Sequence, residues 1–300
     1  MNYKNIKKLV KNLANRNFIE ASDNLQDVIW GISLPDTISI IAEVGIIPED
    51  IPHDSTEEKL YAKVSDILFA KALKEMNFEV QVLRERSNCA DIIAQSKFHG
   101  YSLVGDAKSF RLSRTAKNAK DFKVDSMVHW RRDNDYSVLT CPYFQYPKSS
   151  SQIYKSALEG NVALFSWEYL YVLLSANIKE TEHYNLCVLW NQSAIIRRNI
   201  TLEDSSKNFI KQQDINIREF LGLPQDKISE LFTDLKRIMI ERGRNEIRYY
   251  KKEINRIQQL DRDSAIGELL SCMKLDSKIN TIKNFISQIK DDTTVYKSNI

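Results

Sequence analysis

Two aspartates and a lysine, Asp91, Asp106 and Lys108, close two neighbouring apolar runs, Cys89-Ala90-Asp91-Ile92-Ile93-Ala94 and Tyr101-Ser102-Leu103-Val104-Gly105-Asp106-Ala107-Lys108. Side chains of an extended strand alternate sides, so Asp106 and Lys108 share a face while Ala107 turns into the packing layer. Two carboxylates and an ammonium would converge there. Such a set can hold a divalent cation against a phosphate and put a positive charge beside an attacking water. The acid-x-Lys spacing is not distinctive by itself, since Glu57 to Lys59, Asp121 to Lys123, Asp234 to Lys236 and Asp276 to Lys278 repeat it. What singles out Asp106 is the polar end of an apolar strand, with a second strand acid a short connection upstream. On the residues alone a plainer reading stays open, an acid and a lysine solvated at a strand end.

Beyond Lys108 positive residues recur at every third position, at Arg111, Arg114, Lys117, Lys120 and Lys123, with Asp121 the one acid among them. Cations delivered directly past a metal-type site suit phosphate contacts, whose binding free energy comes largely from released counterions. Ser109, Ser113, Thr115 and Asn118 lie between them and suit phosphate oxygens or base edges. An ordinary solvated face is the alternative.

The elements that must position these groups are legible in outline. Asp36 can cap a helix through Ile38, Ile40, Ile41 and Val44 that stops at Gly45. Ser55-Thr56-Glu57-Glu58 has capping-box spacing, and Leu60, Val64, Ile67, Leu68, Ala72 and Met76 form one helical stripe behind it. Extended segments follow at Phe78 to Leu83, Asp91 to Gln95, Tyr101 to Ala107, Tyr136 to Cys141 and Val162 to Ser166. Helices are expected over Lys120 to Arg132, Gln152 to Leu158 and Trp167 to Leu174. That order implies an α/β fold, a mixed central sheet flanked by helices, with helical N-terminal and C-terminal parts. From Pro224 the chain reads as helix, long or broken at Arg242-Gly243-Arg244, with Ile228, Leu231, Leu235, Ile238, Ile247, Tyr250, Ile254 and Ile257 as its apolar stripe. Asp263 could cap a further helix, and Ile279 to Ile289 a last one. Residues 1–222 are therefore expected as the core and 223–300 as a helical region packed on it or at a dimer interface.

The 300 residues, 43% hydrophobic with net charge +3, suffice for a substantial core. No membrane-spanning run or signal segment is visible, which leads to an expected cytoplasmic location. Cys89, Cys141, Cys187 and Cys272 have no metal-ligand spacing and are expected as buried free thiols, and His53, His99, His129 and His183 form no ligand pair. A zinc enzyme is disfavoured.

The block Gly105-Asp106-Ala107-Lys108-Ser109-Phe110-Arg111-Leu112-Ser113-Arg114-Thr115-Ala116-Lys117-Asn118, continuing through Lys120-Asp121-Phe122-Lys123-Val124, resembles the active-site region of the HindIII-type restriction endonucleases, members of the PD-(D/E)xK nuclease superfamily. The resemblance extends to Ser55-Thr56-Glu57-Glu58-Lys59-Leu60, Tyr136-Ser137-Val138-Leu139-Thr140, Tyr143-Phe144-Gln145-Tyr146-Pro147 and Leu164-Phe165-Ser166-Trp167-Glu168, over most of the first 170 residues. It implies a restriction-endonuclease-like core and a homodimer that cuts palindromic double-stranded DNA with Mg2+, the suggested hexamer being AAGCTT. Asp91, Asp106 and Lys108 match the motif's two acids and lysine, with Ala90 in place of the motif's proline. Arg84 and Glu85 stand where the family has acidic side chains.

In that reading Asp91 and Asp106 hold the metal, with the Ala107 carbonyl as a further ligand, and Lys108 orients and helps deprotonate the attacking water. Glu58 is the candidate for a second-metal or water-network carboxylate, its alternative being a helix cap. Arg111, Arg114 and Asn118 have donors suited to base edges, while Lys117, Lys120 and Lys123 suit phosphates. Asp121 could lie near the metal or accept from a cytosine amino group. A cognate DNA methyltransferase is expected in the same system, without a stable complex. Two alternatives remain, a nuclease of the same fold in DNA repair and a non-catalytic DNA-binding protein.

Overall fold

The structure, a computed structural model, describes residues 1–84, 89–114, 119–147 and 151–291. Four helices come first: α1 (Tyr3–Leu13), α2 (Phe18–Trp30), α3 (Leu34–Val44) and α4 (Thr56–Glu75). Three strands follow, β1 (Phe78–Val82), β2 (Ile92–Ser96) and β3 (Ser102–Ala107), then α5 (Ala119–Phe122) and α6 (Val124–Arg131) lead to β4 (Tyr136–Cys141). Helix α7 (Gln152–Gly160) connects to β5 (Val162–Ser166), which runs straight into α8 (Trp167–Ser175). The remainder is helical: α9 (Cys187–Trp190), α10 (Gln192–Arg197), α11 (Ser205–Leu221), α12 (Gln225–Gln258), α13 (Arg262–Cys272) and α14 (Leu275–Asp291).

The strands form one mixed sheet in the order β1-β2-β3-β4-β5, antiparallel through β3 and parallel from β3 to β5. Each face carries its own core, because alternate residues of a strand leave on opposite sides. Leu103, Ala107, Val138 and Phe165 join α4 and the N-terminal helices, whereas Val104, Leu139, Leu164, Phe122, Met127 and Tyr154 pack under α6, α7 and α11. Helix α4 is covered nearly all round from Tyr61 to Leu73. Gly105 lets it come close, for a Cβ there would stand 2.5 Å from a ring carbon of Phe69.

Several boundaries differ from the expected ones. Ser33, not Asp36, caps α3, its hydroxyl accepting the Asp36 N–H at 3.3 Å, because Leu34-Pro35 already start the helix. The helix expected over Lys120 to Arg132 is split at Lys123, whose φ of 52° places it in the left-handed region. Helix α12 passes Arg242-Gly243-Arg244 unbroken. Asp261, two residues before Asp263, caps α13. Among the thiols Cys141 is buried, Cys89 and Cys187 are half-buried and Cys272 is exposed, so the expected burial holds for one of the four.

Residues Met1–Glu246 form one compact unit and the chain from Ile247 onward a second, so the division falls inside α12, beyond the expected position at residue 222. Within the second unit Arg256 of α12 forks onto Glu268 of α13 at 2.6 and 3.0 Å. No helix among the described residues is long and apolar enough to cross a membrane.

Candidate active site

Register brings the acids together. Ile92 pairs with Gly105 across the antiparallel β2/β3 ladder, so the next residues outward, Asp91 and Asp106, face each other at its end. The Asp91 backbone is pinned on both sides, its N–H donating to the Gly105 carbonyl at 2.9 Å and its carbonyl accepting the Leu83 N–H at 2.8 Å. Asp106 is 1% exposed. Its Oδ2 forms an ion pair with the Lys108 ammonium and has no conventional hydrogen bond among the described residues. Lys108 is itself fixed by its backbone, the N–H donating to Thr140 O at 2.8 Å and the carbonyl accepting the Trp167 indole N–H at 2.9 Å.

A third carboxylate completes the group. Asp66 projects from the buried stretch of α4 and hydrogen-bonds with Asp91. Lys63, one turn earlier, has its ammonium 3.7 Å from Asp66 and donates to Leu83 O at 2.9 Å. Burial, and then the Asp106 charge, outweigh Lys63 and push the Asp66 carboxyl up to about 7. Burial likewise raises Asp91 well above the ordinary carboxylate range, helped by Asp66 and Asp106. Burial disfavours the Lys108 ammonium, yet Asp106, Asp91 and Asp66 together hold its pKa above that of a free lysine. Three acids and two ammonium groups thus share one desolvated place, where ionising all three acids would leave an excess of negative charge. Asp66 and Asp91 line a cleft of about 580 Å3 whose other walls include Lys59, Lys63, Arg84 and the N-terminal turn of α2.

That chemistry fits a hard divalent cation: oxygen donors in excess, a buried carboxylate oxygen with no conventional hydrogen bond, and two carboxyl groups that resist ionising without more positive charge. Asp66 was not among the residues expected from sequence. The signal was an acid inside the run Val64-Ser65-Asp66-Ile67-Leu68-Phe69, where a buried helix admits a carboxylate only for a reason.

Glu58, expected as the third carboxylate, lies two turns earlier on α4 in different company. Its N–H donates to the capping Ser55 hydroxyl at 3.1 Å, its Oε2 accepts the Asp54 N–H at 2.7 Å, and its Oε1 accepts two bonds from Arg111 at 3.0 and 2.7 Å. Glu58 also stands with His53 and Asp54 on the exposed side of the cap, three groups whose ligand atoms lie within 4.8 Å of one another and could hold a metal ion. Arg111 is turned inward as well. Its guanidinium donates to Pro48 O at 3.0 Å, Ile51 O at 2.8 Å and Glu58, which leaves it buried rather than facing a duplex. Arg114 is half-exposed and pairs with Asp121 at 2.7 Å; Lys120 and Lys123 are exposed, with the Lys123 ammonium 5.4 Å from the Trp130 ring centre. Lys117, Asn118 and Glu85 lie outside the described residues.

A mixed five-stranded sheet flanked by helices, with aspartates and a lysine gathered where β2 and β3 meet, defines a nuclease with a restriction-endonuclease-like core. The sequence pattern of the HindIII restriction endonuclease family matches residues 3–286. The chain is also 41% identical over 288 residues to the type II restriction enzyme HindIII of Haemophilus influenzae, covering 96% of each sequence. It belongs to the HindIII restriction endonuclease family and is a type II site-specific endonuclease.

Proposed function

We propose that the chain cuts both strands of a palindromic DNA hexamer, AAGCTT, as a homodimer that uses Mg2+ and leaves 5′-phosphate ends. The observation that carries the reading is the meeting of Asp66, Asp91, Asp106 and Lys108 at one buried strand end. Asp91 and Asp106 hold the metal, and the carbonyl of Ala107, which strand alternation turns away from β4, is a further ligand. Bound there, the metal supplies positive charge for the phosphate oxygens and lowers the pKa of an attacking water.

The protein's own groups do the rest. The Lys108 ammonium keeps its proton, so it donates hydrogen bonds, orienting the water and facing the negative charge that grows on the phosphate oxygens. The water proton needs a carboxylate, and Asp66, which lines the cleft beside Asp91, is the one assigned to accept it. Asp66 takes the water-network role for which the sequence suggested Glu58. Arg114, Lys117, Asn118, Lys120, Asp121 and Lys123 form the DNA-contact segment, and Arg111 anchors it.

The case for a second copy rests on stoichiometry and surface. One chain carries one such acid cluster among its described residues, while symmetric cleavage of two strands needs two. Ile247, Tyr250, Ile254 and Ile257 are 43–57% exposed and recur at alternating intervals of three and four, the spacing of a helix-pairing seam. A cognate methyltransferase that protects the same hexamer is the expected companion. The test is digestion of two plasmids, with and without AAGCTT, in Mg2+ and in EDTA. Discrete fragments from the first alone, dependent on Mg2+ and ending at that hexamer, support the proposal; cutting of both plasmids, or persistence in EDTA, refutes it.

A further inference from the structure

The corner beyond Lys108 is locked to the protein by a second buried ionic group. Phe110 enters it through backbone bonds to Gly45 and Ile47, at 3.0 and 3.2 Å. At its far end the Glu49 carboxylate accepts both the Ser113 N–H at 2.9 Å and the Ser113 hydroxyl at 2.8 Å. Glu49 is held in turn. Its own N–H donates to Glu246 of α12 at 2.9 Å, and Glu246 pairs with Arg242 at 2.9 Å, whose guanidinium lies 3.9 Å from the centre of the Tyr3 ring. Glu49, Arg111, Arg242 and Glu246 are each under 10% exposed, so none of them is placed to touch a duplex.

We infer that Glu49 is a positioning residue for sequence selection, setting the Ser113 corner and through it Arg114, at the entry of the cationic segment. The inference rests on the reading of that segment as the DNA-contact surface. Two sets of restraints make the separation physical. Lys108 is fixed by Thr140 and Trp167, on the β4 and α8 side, whereas Ser113 is fixed by Glu49, on the loop after α3. Releasing Ser113 therefore loosens the corner that leads to Arg114 while the Asp106–Lys108 pair, held from the other side, stays in place. Selectivity suffers before chemistry does, because a base contact misplaced by about an ångström loses its directional hydrogen bonds while a phosphate contact tolerates the shift.

The experiment compares kcat/KM on duplexes carrying AAGCTT and on duplexes with one base pair changed, for the full-length wild type, Glu49→Ala, Glu49→Gln and Ser113→Ala, with melting temperature alongside. In Glu49→Ala the ratio of the two values is expected to fall about 10-fold or more, the scale of one lost base-discriminating contact, with cleavage of the changed duplex held within about threefold. Glu49→Gln, which keeps an acceptor for the Ser113 N–H, restores part of the ratio. Ser113→Ala lowers it by about threefold and serves where Glu49→Ala does not fold. A fall in melting temperature with both activities reduced in parallel and the ratio unmoved overturns the inference. Wild-type protein without preference among duplexes sinks the reading it rests on; preserved preference with an unmoved ratio in every variant sinks the inference alone.

Discussion

Two buried ionic groups lie along one short stretch of chain, and each combines three acids with two bases. At the strand end these are Asp66, Asp91 and Asp106 with Lys63 and Lys108; behind the Ser113 corner they are Glu49, Glu58 and Glu246 with Arg111 and Arg242. The charge count is the same and the outcome opposite. The glutamates accept main-chain N–H groups of Ser113, Asp54 and Glu49, and the planar arginines reach carboxylates and carbonyls at once. The aspartates instead face one another, and their lysines are point charges that leave lone pairs over. The glutamate group, although its Arg242 Nε is left without a hydrogen bond, is tied to the backbone and fixes it, whereas the aspartate group holds carboxylate lone pairs available to something that arrives from outside. Formal charge therefore says little about a buried cluster until its hydrogen-bond donors are counted.

Breaking the aspartate group should have the largest effect, and on activity rather than folding. Asp106→Asn is expected to lower cleavage by on the order of 10³-fold or more, about 4 kcal/mol of transition-state stabilisation. Removing that charge relieves Asp91, so the melting temperature in EDTA should not fall. Mg2+ should raise the melting temperature of the wild type and leave that of Asp106→Asn unmoved. Turnover close to the wild type's in this variant would show that the acids serve some other purpose. The glutamate group should behave the opposite way. Arg111→Ala strands Glu58 and two carbonyls and is expected to cost about 3–5 kcal/mol in urea unfolding, as loss of one partner of a buried ion pair does. A cost below about 1 kcal/mol would mean that the contacts are loosely solvated after all.

The contrast also explains what the sequence could disclose. Asp91, Asp106 and Lys108 were legible because strand alternation and a short β2/β3 connection make their convergence a local matter. Strand spans fell within a residue of expectation for the same reason. Asp66 and Arg111 were not legible, since each role depends on which helix or loop the fold brings alongside. Arg111 has the same three-residue spacing as the exposed cations, and only the packing of the loop after α3 turns it inward. Glu58 carried two sequence signals at once, a cap and a carboxylate near the motif, and neither announced the bonds it accepts from Arg111. The split at Lys123 has no signal in hydrophobic period, because a single left-handed residue leaves the apolar positions on either side intact.

Asp66→Asn sharpens the comparison at a smaller scale. With its carboxyl pushed up to about 7, ionised Asp66 destabilises the metal-free fold. The asparagine should thus stabilise the apoprotein at pH 8 by about 2 kcal/mol while slowing cleavage by about 10- to 100-fold. A variant that loses stability at pH 8 would place Asp66 in the backbone-fixing kind of group instead.

Glu168 is the smallest test and the cleanest, because it has a main-chain donor and no cation. It is 3% exposed at the start of α8, and its Oε2 accepts the Tyr143 N–H at 2.8 Å. Burial outweighs that bond and those from its own N–H and the Ser166 hydroxyl, and raises the carboxyl to about 7. Linkage sets the sign. Below the unfolded value, near 4.5, both states are protonated and burial of the charge costs nothing; between there and 7 the unfolded chain releases its proton first, so stability drains as pH rises; above 7 the loss is complete. Glu168→Gln keeps an acceptor for Tyr143 and removes the titration. Urea unfolding should find it equal to the wild type near pH 4.5 and more stable by about 1–2 kcal/mol at pH 8, with the difference growing through the interval between. A difference that is constant across that range would mean that uncharged donors suffice to hold a buried carboxylate ionised. The glutamates behind the Ser113 corner would then owe their settled state to main-chain donors, with the arginines contributing orientation alone.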